Sequence, residues 1–206
     1  PLERFRTETW VEFEGRVLPV HRGNSPPLGS GPEAWHSAAL EAGEFILRQL
    51  RDDGRFHYTY DPYTDSHPDE DSGDYNLPRH SGTIYSLALL YGFTGDRRYV
   101  EAAESAIEWL VTDLPDNCGA LKSRCVPDSD GEFAEIGATA LTAVGMMEYK
   151  KQTGSTAYDE IIRHLMNFIT DLQMESGDFY HVYDLTTASI DRETRLMYYS
   201  EESALA

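Results

Sequence analysis

Phe45-Ile46-Leu47-Arg48-Gln49-Leu50, Trp109-Leu110-Val111-Thr112-Asp113-Leu114 and Phe168-Ile169-Thr170-Asp171-Leu172 are three versions of one sentence. Their leading aromatics recur at offsets of 64 (109 − 45) and 59 (168 − 109). Each is followed within a few residues by a glycine, a spacer and an apolar residue: Gly54-Arg55-Phe56, Gly119-Ala120-Leu121 and Gly177-Asp178-Phe179. After an irregular stretch a second helix opens in each copy, at Ser81-Gly82-Thr83-Ile84, at Ile136-Gly137-Ala138-Thr139 and at Glu201-Glu202-Ser203-Ala204. Self-similarity at this period is the signature of stacked two-helix units, because one such unit cannot bury its apolar face alone.

Working outward, apolar residues at helical spacing predict a first helix over about 33–51. An alternating strand-like arm follows at Arg55–Tyr60, and Asp61-Pro62 ends it. Next comes a polar loop, Tyr63–Leu77, holding Asp65, Asp69, Glu70, Asp71 and Asp74. It lacks the order of an EF-hand, so calcium is not expected there. Further helices are expected over about 79–93, 99–113, 136–149 and 158–172, with Thr94-Gly95 and Thr153-Gly154 as matching stops. Arms are read at Gly119–Val126 and Asp178–Asp184. A last helix begins near Tyr198, and the sequence stops inside it, so the third copy reads as truncated; longer homologous chains are expected to continue it.

The first thirty residues do not fit the repeat. Trp10–Phe13 and Arg16–Val20 flank Glu14-Gly15 and read as a β-hairpin, and Asn24–Pro32 reads as a Pro/Gly/Ser linker. The organisation is therefore an arm and linker over 1–30 and about two and a half helical hairpins over 31–206. In each pair one helix is amphipathic and the other is apolar nearly all round. The second kind must be buried and the first can cover it, which describes two concentric layers. The fold class is all-α, part of an (α/α) toroid with short β arms.

Composition narrows the function. The 206 residues carry 36 acidic against 17 basic side chains, a net charge of −19, with 40% hydrophobic and 12% aromatic content. That acidic field repels nucleic acid and anionic membranes. No stretch reaches the ~20 apolar residues of a membrane helix, and the N-terminus lacks a signal-peptide order, although the missing initiator Met points to trimming. A soluble, cytoplasmic chain with no nucleic-acid or membrane partner is the expectation. The two cysteines, Cys118 and Cys125, are too few for a disulfide scaffold and are expected to be unpaired buried thiols, and no histidine has metal-ligand spacing to them. No metal or cofactor is expected.

The Gly-x-apolar arms, the stretch Asn76-Leu77-Pro78-Arg79-His80-Ser81-Gly82-Thr83-Ile84-Tyr85-Ser86-Leu87-Ala88-Leu89-Leu90-Tyr91 and the phrase Tyr199-Ser200-Glu201-Glu202-Ser203-Ala204-Leu205 resemble the six-hairpin (α/α) toroids of glycosidases and sugar epimerases, the N-acylglucosamine 2-epimerase-like superfamily. The resemblance spans 33–206 and is one of architecture. It implies a carbohydrate-active protein with sugar held at the mouth of a barrel.

If the second helices are parallel neighbours, their N-termini and preceding loops converge on one rim. That rim collects Asp74, Tyr75, Asn76, Arg79 and His80, then Glu132 and Glu135, then Tyr198, Tyr199, Glu201 and Glu202. Aromatic faces, carboxylates, amides and guanidinium groups are what a sugar needs. Glycoside hydrolysis requires two carboxylates, and Glu135 with Glu201 or Asp74 could supply them. Epimerisation wants a base titrating near neutrality, for which His80 beside Arg79 is the candidate, and a polysaccharide lyase could use the same histidine and arginine with a tyrosine. Carboxylates are also expected at helix starts simply as caps, whereas the Arg79-His80 cation pair opposes the helix dipole and points to function. The arm tyrosines Tyr58, Tyr60, Tyr180 and Tyr183 are read as packing. The rival is a non-catalytic helical-repeat scaffold or glycan- or protein-binding module; isoprenoid chemistry ranks last, because its acidic metal motifs should sit on inner helices.

Overall fold

The computed structural model describes residues 9–13, 15–20, 31–61, 63–64, 66–67, 75–112, 114–115, 118–119 and 123–206. By contact density the chain divides into two units, 1–41 and 42–206. The first holds an antiparallel hairpin of β1 (Thr9–Phe13) and β2 (Arg16–Val20), turned at Gly15 with φ 72°. Helix α1 (Pro32–Gln49) starts in the first unit and ends in the second. Residues 24–30 of the expected linker and the acidic loop residues Asp65, Asp69, Glu70, Asp71 and Asp74 lie outside the described residues, while Pro32 opens α1.

The second unit contains α2 (Leu77–Thr94), α3 (Arg97–Thr112), β3 (Phe133–Glu135), α4 (Ile136–Thr153), α5 (Asp159–Asp171), β4 (Val182–Asp184), β5 (Ser189–Asp191) and α6 (Tyr199–Leu205). The helix boundaries fall within two residues of those expected from periodicity, except that α4 runs four residues further, to its Thr153-Gly154 stop. The stops repeat bond for bond. Gly95 and Gly154 adopt φ 71° and 73° and donate their N–H groups to Tyr91 O and Lys150 O, both at 2.8 Å. Thr94 and Thr153 return their hydroxyls to Leu90 O and Tyr149 O, so both helices close on the same pair of bonds. Gly54, Gly119 and Gly177, the glycines of the three arms, all sit near φ 90° (89°, 90° and 88°), a region closed to most side chains.

Helix α4 is flanked by α2 and α6, while α3 packs on α2 and α5 on α4. The register shows α2 and α4 to be parallel. Ser81, early in α2, meets Thr142 hydroxyl to hydroxyl at 2.7 Å, and Gly92, late in α2, lies against Gln152. Midway, Gly145 admits the backbone and Ile84 of α2 so closely that a Cβ there would stand 3.1 Å from Ser81 O. At the other flank Gly137, in the first turn of α4, accommodates Tyr199 and Glu202 of α6. The start of α4 therefore meets the start of α6. One core gathers Ile84, Leu87, Tyr99, Ala103, Ile107, Met146 and Leu165; a second gathers Ile136, Phe168, Leu172, Phe179 and Tyr183.

Three expectations are corrected. Cys118 and Cys125 are joined in a disulfide with Cα atoms 5.8 Å apart, because the turn bond from Cys118 N to Ser123 O (3.1 Å) folds the arm back on itself. Arg55–Tyr60 is not a strand: only Phe56 bridges, to Leu50, and among the described residues no second strand lies alongside to complete a ladder. Real strands form instead where β3, β4 and β5 pair antiparallel in the order β3-β4-β5. Finally, α4 is buried nearly all round as its composition demands, but α2 is not. It leaves Tyr85, Leu89 and Phe93 exposed on one stripe.

Candidate functional site

Asn76 caps α2, its Oδ1 accepting the Arg79 backbone N–H at 2.9 Å, and Pro78 occupies the first turn, where its missing donor costs nothing. Tyr75 immediately precedes the cap. Its hydroxyl accepts from Phe56 N (3.0 Å) and donates to His80 Nδ1 (2.8 Å), and its ring stands edge-on to Trp109. Burial pushes the Tyr75 phenol up to about 12, so it remains a protonated donor at neutral pH.

His80 is 2% exposed. Its Nε2 lies 3.0 Å from Ala106 O, a carbonyl that can only accept, so Nε2 carries the proton and Nδ1 is the acceptor for Tyr75. Desolvation holds its pKa down at about 4. Both nitrogens are thus used inside the protein, and a neutral ring does not oppose the helix dipole. His80 wedges the α2 start against α3 in this geometry and has no nitrogen left for a ligand. Arg79 turns away: its guanidinium donates to the Tyr58 hydroxyl at 2.7 Å and lies over the Tyr58 ring.

A cleft of about 290 Å³ opens beside Tyr75, walled by Arg55, Trp109, Leu110 and the segment Val126–Ser129. A smaller hollow of about 100 Å³ shares Tyr75 and Val126–Ser129 and continues along Asn76 and Pro78 to Glu135 and Ala138. The wall is rigidly made. Val126 N donates to Thr139 Oγ1 (3.0 Å), Pro127 bridges Ala134, and Asp128 Oδ1 accepts from the N–H groups of Glu132 (3.0 Å) and Phe133 (3.2 Å).

Glu135 links this hollow to the third copy. It ends β3, precedes α4 and accepts the Tyr199 hydroxyl on Oε2 at 2.5 Å. Burial and the neighbouring carboxylate push the Tyr199 phenol above its ordinary value, so it keeps its proton. Glu202 lies on the same side of α6, where its Oε2 is buried without a hydrogen-bond partner among the described residues. Its pKa is raised, first by desolvation and then by the charges of Glu201 and Glu135. Here one phenol is bonded to one carboxylate, with a second, half-buried carboxyl beside them on α6.

The structure thus brings Tyr75, Asn76 and Glu135 to one hollow, and Glu135, Tyr199 and Glu202 to one cluster. Glu201 and Tyr198 point to solvent, Glu132 is exposed, and Asp74 lies outside the described residues. Arg55, Trp109, Asp128 and Ser129 line the cleft although the sequence marks none of them as a site residue; Trp109 reads there only as the aromatic that anchors each first helix. Of the arm tyrosines, Tyr183 is buried as expected, but Tyr58 and Tyr60 are 43% and 49% exposed. Among the described residues no group of His, Cys, Asp and Glu is arranged to hold a metal ion, and no helix is long and apolar enough to cross a membrane.

No protein-family model and no curated protein matches the sequence. Solved structures do. The chain is similar to a sugar epimerase from a ruminal bacterium, with TM-score 0.58 and 16% identity over 76% of this chain and 42% of that one. It is likewise similar to cellobiose 2-epimerase from Spirochaeta thermophila DSM 6192, with TM-score 0.58 and 14% identity over 80% of this chain and 43% of that one. The chain spans less than half the length of either epimerase, and at these identities what it shares with them is the fold.

Proposed function

We propose that residues 42–206 form part of an (α/α) toroid whose α2, α4 and α6 are inner helices, and that a sugar is bound and transformed where those helices begin. The observation that carries this reading is the hollow that runs from Tyr75 and Asn76 to Glu135, whose carboxylate is bonded to Tyr199. The fold shared with two sugar epimerases supports a carbohydrate substrate and favours epimerisation. In that chemistry Glu135 takes a proton from a carbon next to a carbonyl, and a second acid returns one to the opposite face, a role for which Glu202 is the neighbouring carboxyl. Tyr199, whose hydroxyl proton is committed to Glu135 Oε2, orients that carboxylate for the transfer. Trp109 and Tyr75 offer ring faces and edges to the sugar's apolar C–H surfaces.

Glycoside hydrolysis is the second reading, favoured by the pairing of Glu135 with a carboxyl whose pKa is raised. Here Glu202 replaces the expected Glu201 or Asp74 as partner. The test is deuterium wash-in: cellobiose and mannose are incubated with the protein in D2O and followed by NMR. Epimerisation exchanges the C2 hydrogen, hydrolysis releases glucose from cellobiose, and Glu135→Gln should lower either rate by at least ~100-fold. A Glu135→Gln protein as active as the wild type, or no turnover of either kind, removes the proposal.

A further inference from the structure

His181 belongs to none of the groups assigned above, yet it ties together the two helix starts that carry Glu135 and Tyr199. It is 4% exposed and directly precedes β4. Its backbone oxygen accepts from Ile136 N, the first residue of α4, at 3.0 Å. Its side chain reaches the start of α6 twice, with Leu196 N 2.7 Å from Nδ1 and Ser200 Oγ 3.0 Å from Nε2. Ser200 Oγ also lies 2.6 Å from Asp178 Oδ1.

Counting protons leaves one arrangement. A backbone N–H can only donate, so Nδ1 must be bare and the ring neutral. Nε2 then carries the proton and donates to Ser200, whose own hydroxyl proton goes to Asp178. The bonds run from His to Ser to Asp, the reverse of a nucleophilic triad, in which the histidine accepts from the serine. Ser200 is therefore not an activated nucleophile; the trio is a clamp. Leu196 and Ser200 bracket Tyr198, held in the left-handed region at φ 73°, and Tyr199. A backbone in that conformation is costly for a tyrosine and persists only where its flanks are fixed.

We propose that His181 is a positioning residue: in its neutral form it clamps residues 196–200 to the start of α4 and so keeps Tyr199 on Glu135, and protonation at Nδ1 releases the clamp. Its bearing on catalysis rests on the reading of Glu135 and Tyr199 given above, but the clamp itself is independent of any sugar. The groups facing the ring are Asp178 from the arm, Arg195 from the segment after β5, and Glu201 and the Tyr199 ring from α6. Desolvation first, then Arg195, holds His181 below its ordinary value of 6.5, against the opposing pull of Asp178 and Glu201. A depressed histidine favours the closed clamp fully above pH 6.5. That preference is lost as the pH falls below 6.5 toward the folded-state value, because the open form binds the proton better.

Hydrogen exchange followed by mass spectrometry on peptides covering 194–203, corrected for intrinsic rates, reads the clamp without a ligand. Between pH 7.5 and pH 5 the wild type should lose about tenfold in protection. His181→Asn places an amide oxygen where Nδ1 accepts and cannot titrate, so its protection should be independent of pH and near the wild-type value at pH 7.5. His181→Gln, which reaches Ser200 and not Leu196, should be poorly protected at both. Wild-type protection unchanged across this range, or an Asn variant that tracks the wild type, overturns the proposal. Should the variants not fold, NMR on the wild type decides: the Leu196 amide must shift with the His181 titration, and a Leu196 amide indifferent to it is equally fatal. Loss of sugar turnover with an intact clamp would count against the proposed function alone.

Discussion

Replacing Gly145 by alanine sets two well-known effects against each other. In the middle of a helix, glycine is worth about 1 kcal/mol less than alanine, so on propensity alone the substitution in α4 should stabilise the protein. The parallel packing of α2 and α4 says otherwise. The new Cβ would lie 3.1 Å from Ser81 O, 3.2 Å from Ile84 Cγ2 and 3.3 Å from Ile84 Cβ, and two of those neighbours are backbone or directly attached to it. Ile84 is fully buried, so it cannot swing aside. Overpacking of this kind costs ~1–3 kcal/mol, which leaves a net loss of about 1 kcal/mol. Gly92→Ala is the control, made in the same interface. The three atoms nearest its Cβ all belong to the far end of the flexible Gln152 side chain, which can move by giving up its bond to Glu148, so this variant should lie between neutral and ~1 kcal/mol more stable. Urea unfolding followed by far-UV circular dichroism gives both midpoints, with the slope expected to stay constant. If Gly145→Ala is stabilised as much as Gly92→Ala, the close parallel contact of α2 and α4 is wrong, and with it the convergence of their starts.

The buried hydroxyl pair in that interface is directional. Thr142 donates to Ala138 O (2.8 Å), so Ser81 must donate to Thr142; Thr142→Val should then cost ~1–3 kcal/mol by stranding the Ser81 hydroxyl, Ser81→Ala should cost less, and a double-mutant cycle should show the coupling. His80, held at about 4 in the folded protein against an ordinary 6.5, favours folding fully above pH 6.5. About 3 kcal/mol of that preference should vanish as the pH falls from 6.5 to 4, a slope that calorimetry should find missing in His80→Gln. The Cys118–Cys125 bond closes a short loop, seven residues apart in sequence, so replacing both cysteines by alanine should lower stability by about 2 kcal/mol in a denaturant titration.

What the sequence discloses and what it withholds follow from the range of the forces involved. Helix positions and their stops are local: the 3.6-residue period and the repeated Thr-Gly cap appear in the chain as plainly as in the fold. The adjacency of Tyr75, Asn76 and Glu135 follows from aligning the copies, since equivalent residues of parallel neighbours must lie side by side. Protonation states and side-chain direction do not. His80 and Arg79 look alike at a helix start, yet one step along α2 rotates a side chain by about 100°, sending His80 into the core and Arg79 to Tyr58. The same step separates exposed Glu201 from half-buried Glu202. Arg55–Tyr60 alternates as a strand does, but a strand needs a partner, which the alternation itself does not supply. His181 gave no sign because its partners, Ile136, Leu196 and Ser200, are 45, 15 and 19 residues away.

The central claim is that a sugar lodges where α2 and α4 begin, against Glu135. Crystals soaked with cellobiose, at concentrations that saturate any binding seen in solution, test it most directly. The account expects sugar density between Tyr75, Asn76 and Glu135, with a ring packed toward Trp109 and the hydroxyls within hydrogen-bond reach of the carboxylate. Sugar bound elsewhere, or a hollow that stays without sugar while the protein demonstrably binds cellobiose in solution, would contradict it.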